Sequence, residues 1–345
     1  MVSRFTPSLH PERMFSMPRV LIGPAPLANV QGSFLDVLRL GGFEIVYHGS
    51  PSQLTEEQIL HHLKGIDASL AGSEPYTERV LSANPQLRVI ARVGVGYDAV
   101  DLEAATRHNV VVTFAPNTNH GSVAEHTFAL MLALAKNLLA QHAGTAAGRW
   151  PRGSTLPLRT QTLGLVGLGR IGKAMTTRAQ AFGMTVIGHD PYADQQWAAE
   201  AGVELVTLEA LLERSDFVSL HLPAIPTTRH LINAAMLARM KPTAFLINTA
   251  RGSVVDEKAL YDALVNRRIA GAGLDVFEQE PPAADNPLLQ LDNVVLTPHA
   301  AGTDYRARDD MAHSAAEAIV ALYRGEWPAE KVVNPEVRAT FRWSR

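Results

Sequence analysis

Cysteine is absent from the 345 residues. Its absence excludes disulfide bonds, thiolate nucleophiles and zinc–thiolate sites. An excess of one charge is missing as well, because 31 Lys and Arg residues face 34 Asp and Glu residues for a formal net charge of −3. No cluster of basic residues stands out, so a nucleic-acid partner is not expected. The adjacent histidines His61 and His62 have no further ligand near them, so no metal site is expected.

Long apolar runs are also scarce. The most apolar helical stretch, AEHTFALMLALAKNLLA at 124–140, carries Glu125, His126 and Lys136. It is predicted to be one helix, too short and too charged to span a bilayer. The opening MVSRFTPSLHPERMF has no apolar core of the signal-peptide type. With 46% apolar and 19% charged residues, the composition favours a soluble, cytoplasmic, folded protein without a membrane partner.

Short β-rich runs alternate with helix-like segments along most of the chain. One series runs from about residue 18 to VVVTF at 110–114, and APNTNHGS at 115–122 reads as a loop. A second series begins with LGLVG at 163–167 and continues through TVIGHD, FVSLHLP, AFLINTA, GAGLDVF and NVVLTPH. Strands that alternate with helices predict parallel sheets covered by helices on both faces. The sequence therefore predicts a two-domain α/β protein.

The second series opens with a glycine-rich turn, GLGRIG. Gly167, Gly169 and Gly172 follow a strand and begin a helix, and the next strand ends at Asp190. The first glycine allows a tight turn, the second lets the backbone approach a pyrophosphate, and the third lets helix and strand pack closely. Asp190 lies where a carboxylate meets the adenosine ribose hydroxyls and repels a 2′-phosphate. This pattern predicts a site for NAD in preference to NADP.

Polar side chains follow three further strands of the second series. FLINTARG ends at Arg251, GAGLDVFEQEPP carries Asp275 and Glu280, and NVVLTPH ends at His299. Taken singly, each could be a solvated or structural residue. Together they suit an alcohol–ketone interconversion, in which a histidine exchanges the hydroxyl proton, a carboxylate orients it and an arginine binds a substrate carboxylate.

These motifs, in this order, resemble the D-isomer-specific 2-hydroxyacid dehydrogenases. The resemblance spans about residues 68–335 and rests on RVGVGYDAVDLEAATRHNVVVTFAP, VAEHT, GLGRIG, HLP, INTARGSVVD, LDVFEQEPP, TPHAAG and VNP. It implies that Arg251 binds the substrate, that His299 is the acid/base and that Glu280 supports it. It also implies that the loop Val93, Gly94, Val95, Gly96 binds the substrate carboxylate through N–H groups. The implied NAD contacts are Gly167, Gly169, Arg170, Ile171, Gly172, Asp190, Thr249, Ala250 and Asp275.

The resemblance also implies an arrangement of domains. A Rossmann-type NAD-binding domain would comprise 116–309, and a smaller flavodoxin-like substrate domain would comprise 1–115 plus 310–345. A homodimer would form through 121–150. The chain has no room for the C-terminal regulatory domain of some phosphoglycerate members. In LAGSEPYT, Ala71 or Gly72 stands where human-type phosphoglycerate dehydrogenases have an arginine that faces the phosphate, and Arg92 is the alternative cation.

The expected function is interconversion of a D-2-hydroxyacid and its 2-oxoacid by an NAD-dependent oxidoreductase, with a 3-phosphoglycerate dehydrogenase-like activity as one candidate. Two alternatives stay open. One is a glyoxylate or hydroxypyruvate reductase. The other is a binding protein of a different class, an NAD(H) sensor of the corepressor type.

Overall fold

The computed structural model describes residues 17–343. The chain forms two compact units. The first contains the described residues up to Pro116 together with those from Asp309 onward, and the second contains Asn117–Arg308. The opening segment, which we expected to lack a signal peptide, lies outside the described residues.

The first unit contains a five-stranded parallel sheet. Its strands are β1 (Arg19–Ile22), β2 (Glu44–Tyr47), β3 (Ala68–Ala71), β4 (Val89–Arg92) and β5 (Val111–Thr113), and its helices are α1 (Ser33–Leu40), α2 (Glu56–His62), α3 (Glu78–Ser82) and α4 (Leu102–Arg107). The strand order β2-β1-β3-β4-β5 is that of a flavodoxin-like sheet. Every residue of β3 and β4 is buried, because helices cover both faces of the sheet.

The second unit contains a seven-stranded parallel sheet, β6 (Thr162–Val166), β7 (Thr185–His189), β8 (Glu204–Leu205), β9 (Phe217–Leu220), β10 (Phe245–Asn248), β11 (Gly271–Leu274) and β12 (Val294–Leu296). Its helices are α5 (His120–Ala135), α6 (Leu138–Ala146), α7 (Arg170–Ala181), α8 (Gln195–Glu200), α9 (Leu208–Arg214), α10 (Ala234–Leu237) and α11 (Glu257–Val265). The strand order β12-β11-β10-β9-β6-β7-β8 is of the Rossmann type. The predicted α/β fold class is confirmed.

The predicted helix at 124–140 is wrong in one respect. Helix α5 ends at Ala135, and α6 starts at Leu138 after Asn137, whose φ of +49° lies in the left-handed region. The axes of the two helices differ by 61°. Asparagine adopts this conformation more easily than most residues, so the break has a local cause. No single helix within 17–343 is long and apolar enough to cross a membrane, and only this bent pair has that length and composition when counted together.

Helix α12 (Tyr305–Tyr323) returns the chain to the first unit. Ala312, Ala315 and Ile319 of this helix pack into the core that contains Phe34 and Leu38 of α1. The small alanine side chains let the helix approach the sheet closely. The C-terminal residues therefore complete a hydrophobic core that the first 116 residues begin.

Asn334 fixes the segment that follows α12 to the edge of this sheet. Its side-chain oxygen accepts from the N–H of Val112 at 2.9 Å, and its amide donates to the carbonyl of Val110 at 2.9 Å and to the hydroxyl of Thr106 at 3.2 Å. Asn334 is buried. If the Asn334 side chain were removed, no water could take its place as a partner of these two buried backbone groups. The side chain therefore stabilises the fold.

Asn334→Ala is expected to lower the free energy of unfolding by about 2 kcal/mol, since it leaves a buried N–H and a buried carbonyl without partners. Urea denaturation followed by circular dichroism measures the effect. Asn29→Ala, at an exposed position of the same unit, is the control and should change stability little. Equal stability of the two variants would contradict this role for Asn334.

Candidate active site

The glycine-rich turn lies at the carboxyl end of β6, where the strand order of the sheet reverses. Gly167 has a φ of +100°, and a Cβ built on it would lie 2.3 Å from the carbonyl oxygen of His221 at the end of β9. A Cβ on Gly172 would lie 2.3 Å from the carbonyl oxygen of Gly167. Both glycines are therefore required by close backbone packing. The crevice beyond such a reversal is where ligands bind in open α/β sheets.

Gly169 differs from these two glycines. A Cβ on Gly169 would meet no atom of the described residues within 4 Å, and Arg170 begins α7 with no side chain capping the helix. Gly169 and Arg170 are exposed, and Ile171 is half-buried. An open helix N-terminus with uncapped N–H groups suits a pyrophosphate. The residues present thus fit a dinucleotide at this turn.

Asp190 follows β7 and bonds to the same turn. One carboxylate oxygen accepts from the N–H of Leu168 at 2.9 Å, and the other accepts from the N–H of Tyr192 at 2.8 Å. Each oxygen has a second lone pair, so these bonds orient the carboxylate and leave it able to accept from hydroxyl groups.

Arg251 is held by a turn at the end of β10. The buried Asn248 donates its amide to the carbonyl of Arg251 at 2.9 Å and accepts from the N–H of Ala250 at 3.0 Å. Behind it, a Cβ on Gly252 would lie 1.9 Å from the carbonyl carbon of Phe277, which follows β11. The backbone around Arg251 is therefore held by Asn248 at the end of β10 and by the segment that follows β11. Thr249, beside it, is buried and its hydroxyl bonds to that of Thr127 at 2.9 Å.

His299 and Glu280 are in direct contact. Nδ1 of His299 lies 2.6 Å from Oε2 of Glu280, whose other oxygen accepts from the N–H of Phe277 at 3.0 Å. Because a carboxylate only accepts, Nδ1 carries the proton and Nε2 is the nitrogen that can exchange one. His299 has a φ of +51°, a conformation uncommon outside glycine. The side chains of both residues are partly exposed.

Asp275 is bonded to the backbone around His299 and is almost completely buried. Its carboxylate accepts from the hydroxyl of Thr297 at 2.6 Å and from the N–H groups of Ala300 at 2.8 Å and Ala301 at 2.9 Å. Its carbonyl accepts from the N–H of His299 at 2.7 Å. Asp275 therefore fixes the backbone on both sides of the histidine.

His126 of α5 extends this network. Its Nε2 lies 2.9 Å from the hydroxyl of Thr297 and 3.6 Å from the Asp275 carboxylate. Since the Thr297 hydroxyl donates to Asp275, it accepts from His126. His221, just after β9, bonds to the hydroxyl of Ser219 at 2.9 Å. Burial lowers the pKa of His221 to about 3, so its ring is neutral near neutral pH.

The loop Val93–Gly96 lies in the first unit, at the carboxyl end of β4. The N–H of Val93 donates to the carbonyl of Ala71 at 2.8 Å. Arg92 is buried, and its guanidinium donates to the carbonyls of Gly96 at 2.9 Å and Ala71 at 3.1 Å. Arg92 therefore joins this loop to the segment after β3.

The structure thus brings Arg251, Asp275, Glu280 and His299 to one edge of the neighbouring strands β10, β11 and β12. The glycine turn and Asp190 lie at the same edge of the same sheet. Sequence reasoning missed Asn248, Thr297 and the contact made by His126. The sequence carries only a weak signal for these residues. Asn248 is a polar residue at the end of an apolar strand, and Thr297 lies two positions before His299.

Known proteins resemble the chain over most of its length. Residues 128–301 match the model of the D-isomer specific 2-hydroxyacid dehydrogenase, NAD binding domain. A glyoxylate reductase of Korarchaeum cryptofilum is 43% identical over 303 residues, which cover 86% of this chain and 91% of the relative. The chain belongs to the D-isomer specific 2-hydroxyacid dehydrogenase family.

Other family members resemble the chain to a similar degree. A D-3-phosphoglycerate dehydrogenase of Methanocaldococcus jannaschii is 45% identical over 81% of this chain, which spans only 54% of that relative. A D-lactate dehydrogenase of Aquifex aeolicus, solved with NAD and lactic acid, has a TM-score of 0.80 at 30% identity, covering 92% of this chain and 99% of that structure. The protein is accordingly an NAD-dependent oxidoreductase of 2-hydroxyacids.

Glu280→Gln removes the carboxylate that accepts from the Nδ1–H of His299. We expect kcat for 2-oxoacid reduction to fall about tenfold, because a neutral amide oxygen is a weaker acceptor than a carboxylate and holds the imidazole less firmly. Steady-state kinetics at a fixed pH measure the effect, and Glu200→Gln, at an exposed position, is the control. Equal kcat values in the two variants would show that the contact does not govern catalysis.

Proposed function

We propose that the enzyme interconverts a D-2-hydroxyacid and its 2-oxoacid, with His299 as the acid/base, Glu280 as its partner and Arg251 as the group that binds the substrate carboxylate. The observation that carries this proposal is the 2.6 Å contact between Glu280 and His299. It leaves Nε2 as the proton-exchanging atom, at the strand edge from which Arg251 also projects.

NAD would be held by the residues of the glycine turn. Gly167 and Gly172 shape the turn, and Gly169, Arg170 and Ile171 present the N-terminus of α7. Asp190 would accept from the adenosine ribose hydroxyls. Thr249 and Ala250, at the end of β10, are the further contacts proposed. When bound, NADH supplies the hydride that the substrate carbon accepts.

The protein side chains supply the proton and the electrostatic stabilisation. In the reducing direction, His299 protonated at Nε2 donates to the carbonyl oxygen of the 2-oxoacid, while Glu280 holds the ring through Nδ1–H. Arg251 grips the substrate carboxylate with two parallel N–H bonds, and its charge stabilises the alkoxide that develops next to it.

A direct contact between Asp275 and NAD stays a prediction. The bonds that Asp275 makes favour a positioning role, because its carboxylate already accepts from Thr297, Ala300 and Ala301. This role is compatible with a contact to NAD through the remaining lone pairs.

The proposed substrate loop needs one revision. We expected Val93, Gly94, Val95 and Gly96 to offer N–H groups to the substrate carboxylate. The N–H of Val93 instead donates to the carbonyl of Ala71. The proposal therefore keeps Gly94, Val95 and Gly96 as donors. The assignment of substrate binding to the first unit rests on this loop.

The homodimer and the cytoplasmic location stay predictions. For the dimer, the region 121–150 contains exposed apolar side chains at Leu138, Leu139 and Trp150. Apolar residues exposed together on one segment are typical of a surface that another protein covers.

A panel of 2-oxoacids with NADH tests the proposed activity and separates it from the alternatives. We expect turnover with NADH and much weaker turnover with NADPH, because Asp190 disfavours a 2′-phosphate. Glyoxylate belongs in the panel, since the Korarchaeum cryptofilum relative is a glyoxylate reductase. Tight NADH binding without turnover of any oxoacid would overturn the proposal in favour of an NAD(H) sensor.

Arg251→Lys keeps the charge but loses the two-pronged geometry. We expect kcat/KM for the best oxoacid to fall about 10- to 100-fold, with NADH affinity nearly unchanged. Stopped-flow or steady-state kinetics and fluorescence titration of NADH measure the two quantities. Arg239→Lys, at an exposed ion pair with Glu213, is the control. Near-normal kcat/KM in Arg251→Lys would remove Arg251 from the proposed role.

A further inference from the structure

His230 lies in the loop between β9 and α10, and its φ of +49° is in the left-handed region. Its N–H donates to the carbonyl of Ser253 at 2.8 Å. Ser253 belongs to the short turn, Gly252–Val254, that directly follows Arg251. The backbone of His230 is therefore anchored to the turn beside the proposed substrate-binding arginine.

The side chain of His230 reaches a second segment, the one that carries Glu280. Its Nε2 is buried and lies 3.0 Å from Oε1 of Glu278. Since a carboxylate only accepts, this nitrogen carries a proton. The N–H is not aimed well enough for a hydrogen bond, so its attraction to the carboxylate is a general electrostatic one. His230 thus joins the turn after Arg251 to a carboxylate two residues before Glu280.

Glu278 is also held by the start of α11. Its Oε1 accepts from the N–H of Glu257 at 3.1 Å, and its own N–H donates to the Glu257 carboxylate. Residues 278–280 belong to no helix or strand and lie at the surface. Segments with few buried contacts and no strand or helix bonds open most easily. The contacts of Glu278 therefore determine where Glu280 lies.

We infer that His230 is a positioning residue for the pair formed by Glu280 and His299. The inference rests on the proposed function, in which that pair exchanges the substrate proton. By attracting Glu278, His230 keeps the Glu280 carboxylate at hydrogen-bond distance from His299. It does so from a backbone that is fixed to the turn after Arg251. His230 therefore sets the spacing between the segment that binds the substrate carboxylate and the segment that orients the acid/base.

Two single variants and their combination test the inference. His230→Asn suits the left-handed backbone, because asparagine adopts it readily, and it keeps the N–H that donates to Ser253. Its side chain is too short to keep the contact with Glu278. Glu278→Gln removes the charge that attracts His230 and keeps an oxygen that can accept from the N–H of Glu257.

We expect each single variant to lower kcat for the best oxoacid about threefold to tenfold, because Glu280 then holds His299 less firmly. KM for the oxoacid and the Kd of NADH should stay nearly unchanged, since the turn after Arg251 and the glycine turn keep their contacts. Steady-state kinetics and fluorescence titration of NADH measure these quantities. An unchanged kcat in His230→Asn would overturn the inference.

The double variant separates a shared role from two independent ones. If His230 acts through Glu278, the kcat of the double variant should equal that of the slower single variant, because the second change removes a contact that is already lost. Multiplication of the two losses would show that His230 acts in another way and would also overturn the inference.

His108→Asn is the matched control. Nε2 of His108 lies 2.7 Å from Oε1 of Glu78 in the first unit, so this variant removes a histidine–glutamate contact of the same kind, and kcat should not change. A purely structural role of His230 would lower Tm and leave the kcat of the folded enzyme unchanged, which would overturn the inference while the proposed function stands. If the unchanged enzyme reduces no oxoacid, the proposed function fails and the inference fails with it.

Discussion

The carboxylate of Asp275 holds the segment that carries His299 in place. A buried carboxylate is tolerated only when hydrogen bonds replace the water it has lost, and here Thr297, Ala300 and Ala301 supply them. These donors lie on both sides of His299. These bonds fix the turn between β12 and α12, in which His299 has a positive φ that non-glycine residues seldom adopt. The contact with Glu280 depends on that conformation.

The parts of the site that the sequence predicts are those with local causes. The glycine turn is recognisable because Gly167 needs a positive φ and Gly172 must approach a backbone carbonyl, so no other residue fits. The ends of the parallel strands are recognisable because apolar runs stop there. Since those ends share one edge of a sheet, the order of Arg251, Asp275 and His299 in the chain was enough to predict that they lie at the same edge.

The missed features leave little signal in the sequence, for reasons that differ from one residue to the next. In the sequence, Asn248 is simply the last residue of a strand. In the structure, its amide bonds to the carbonyl of Arg251 and to the N–H of Ala250. His126 lies 171 residues from Thr297, and nothing in VAEHT indicates that contact. The break at Asn137 was missed because the apolar pattern continues across it. The N–H of Val93 was counted as a donor to substrate because its partner, the carbonyl of Ala71 in β3, is distant in the sequence.

Glu74 and Asp275, one in each unit, are buried carboxylates whose charge is compensated in different ways. Asp275 accepts from a hydroxyl and two N–H groups that lie on both sides of His299 in the chain. Glu74 accepts from the N–H of Gly72 and lies near the charge of Arg92, while burial raises the pKa of its carboxyl. The carboxylate of Asp275 is thus compensated by neutral donors, whereas that of Glu74 depends in part on the charge of Arg92.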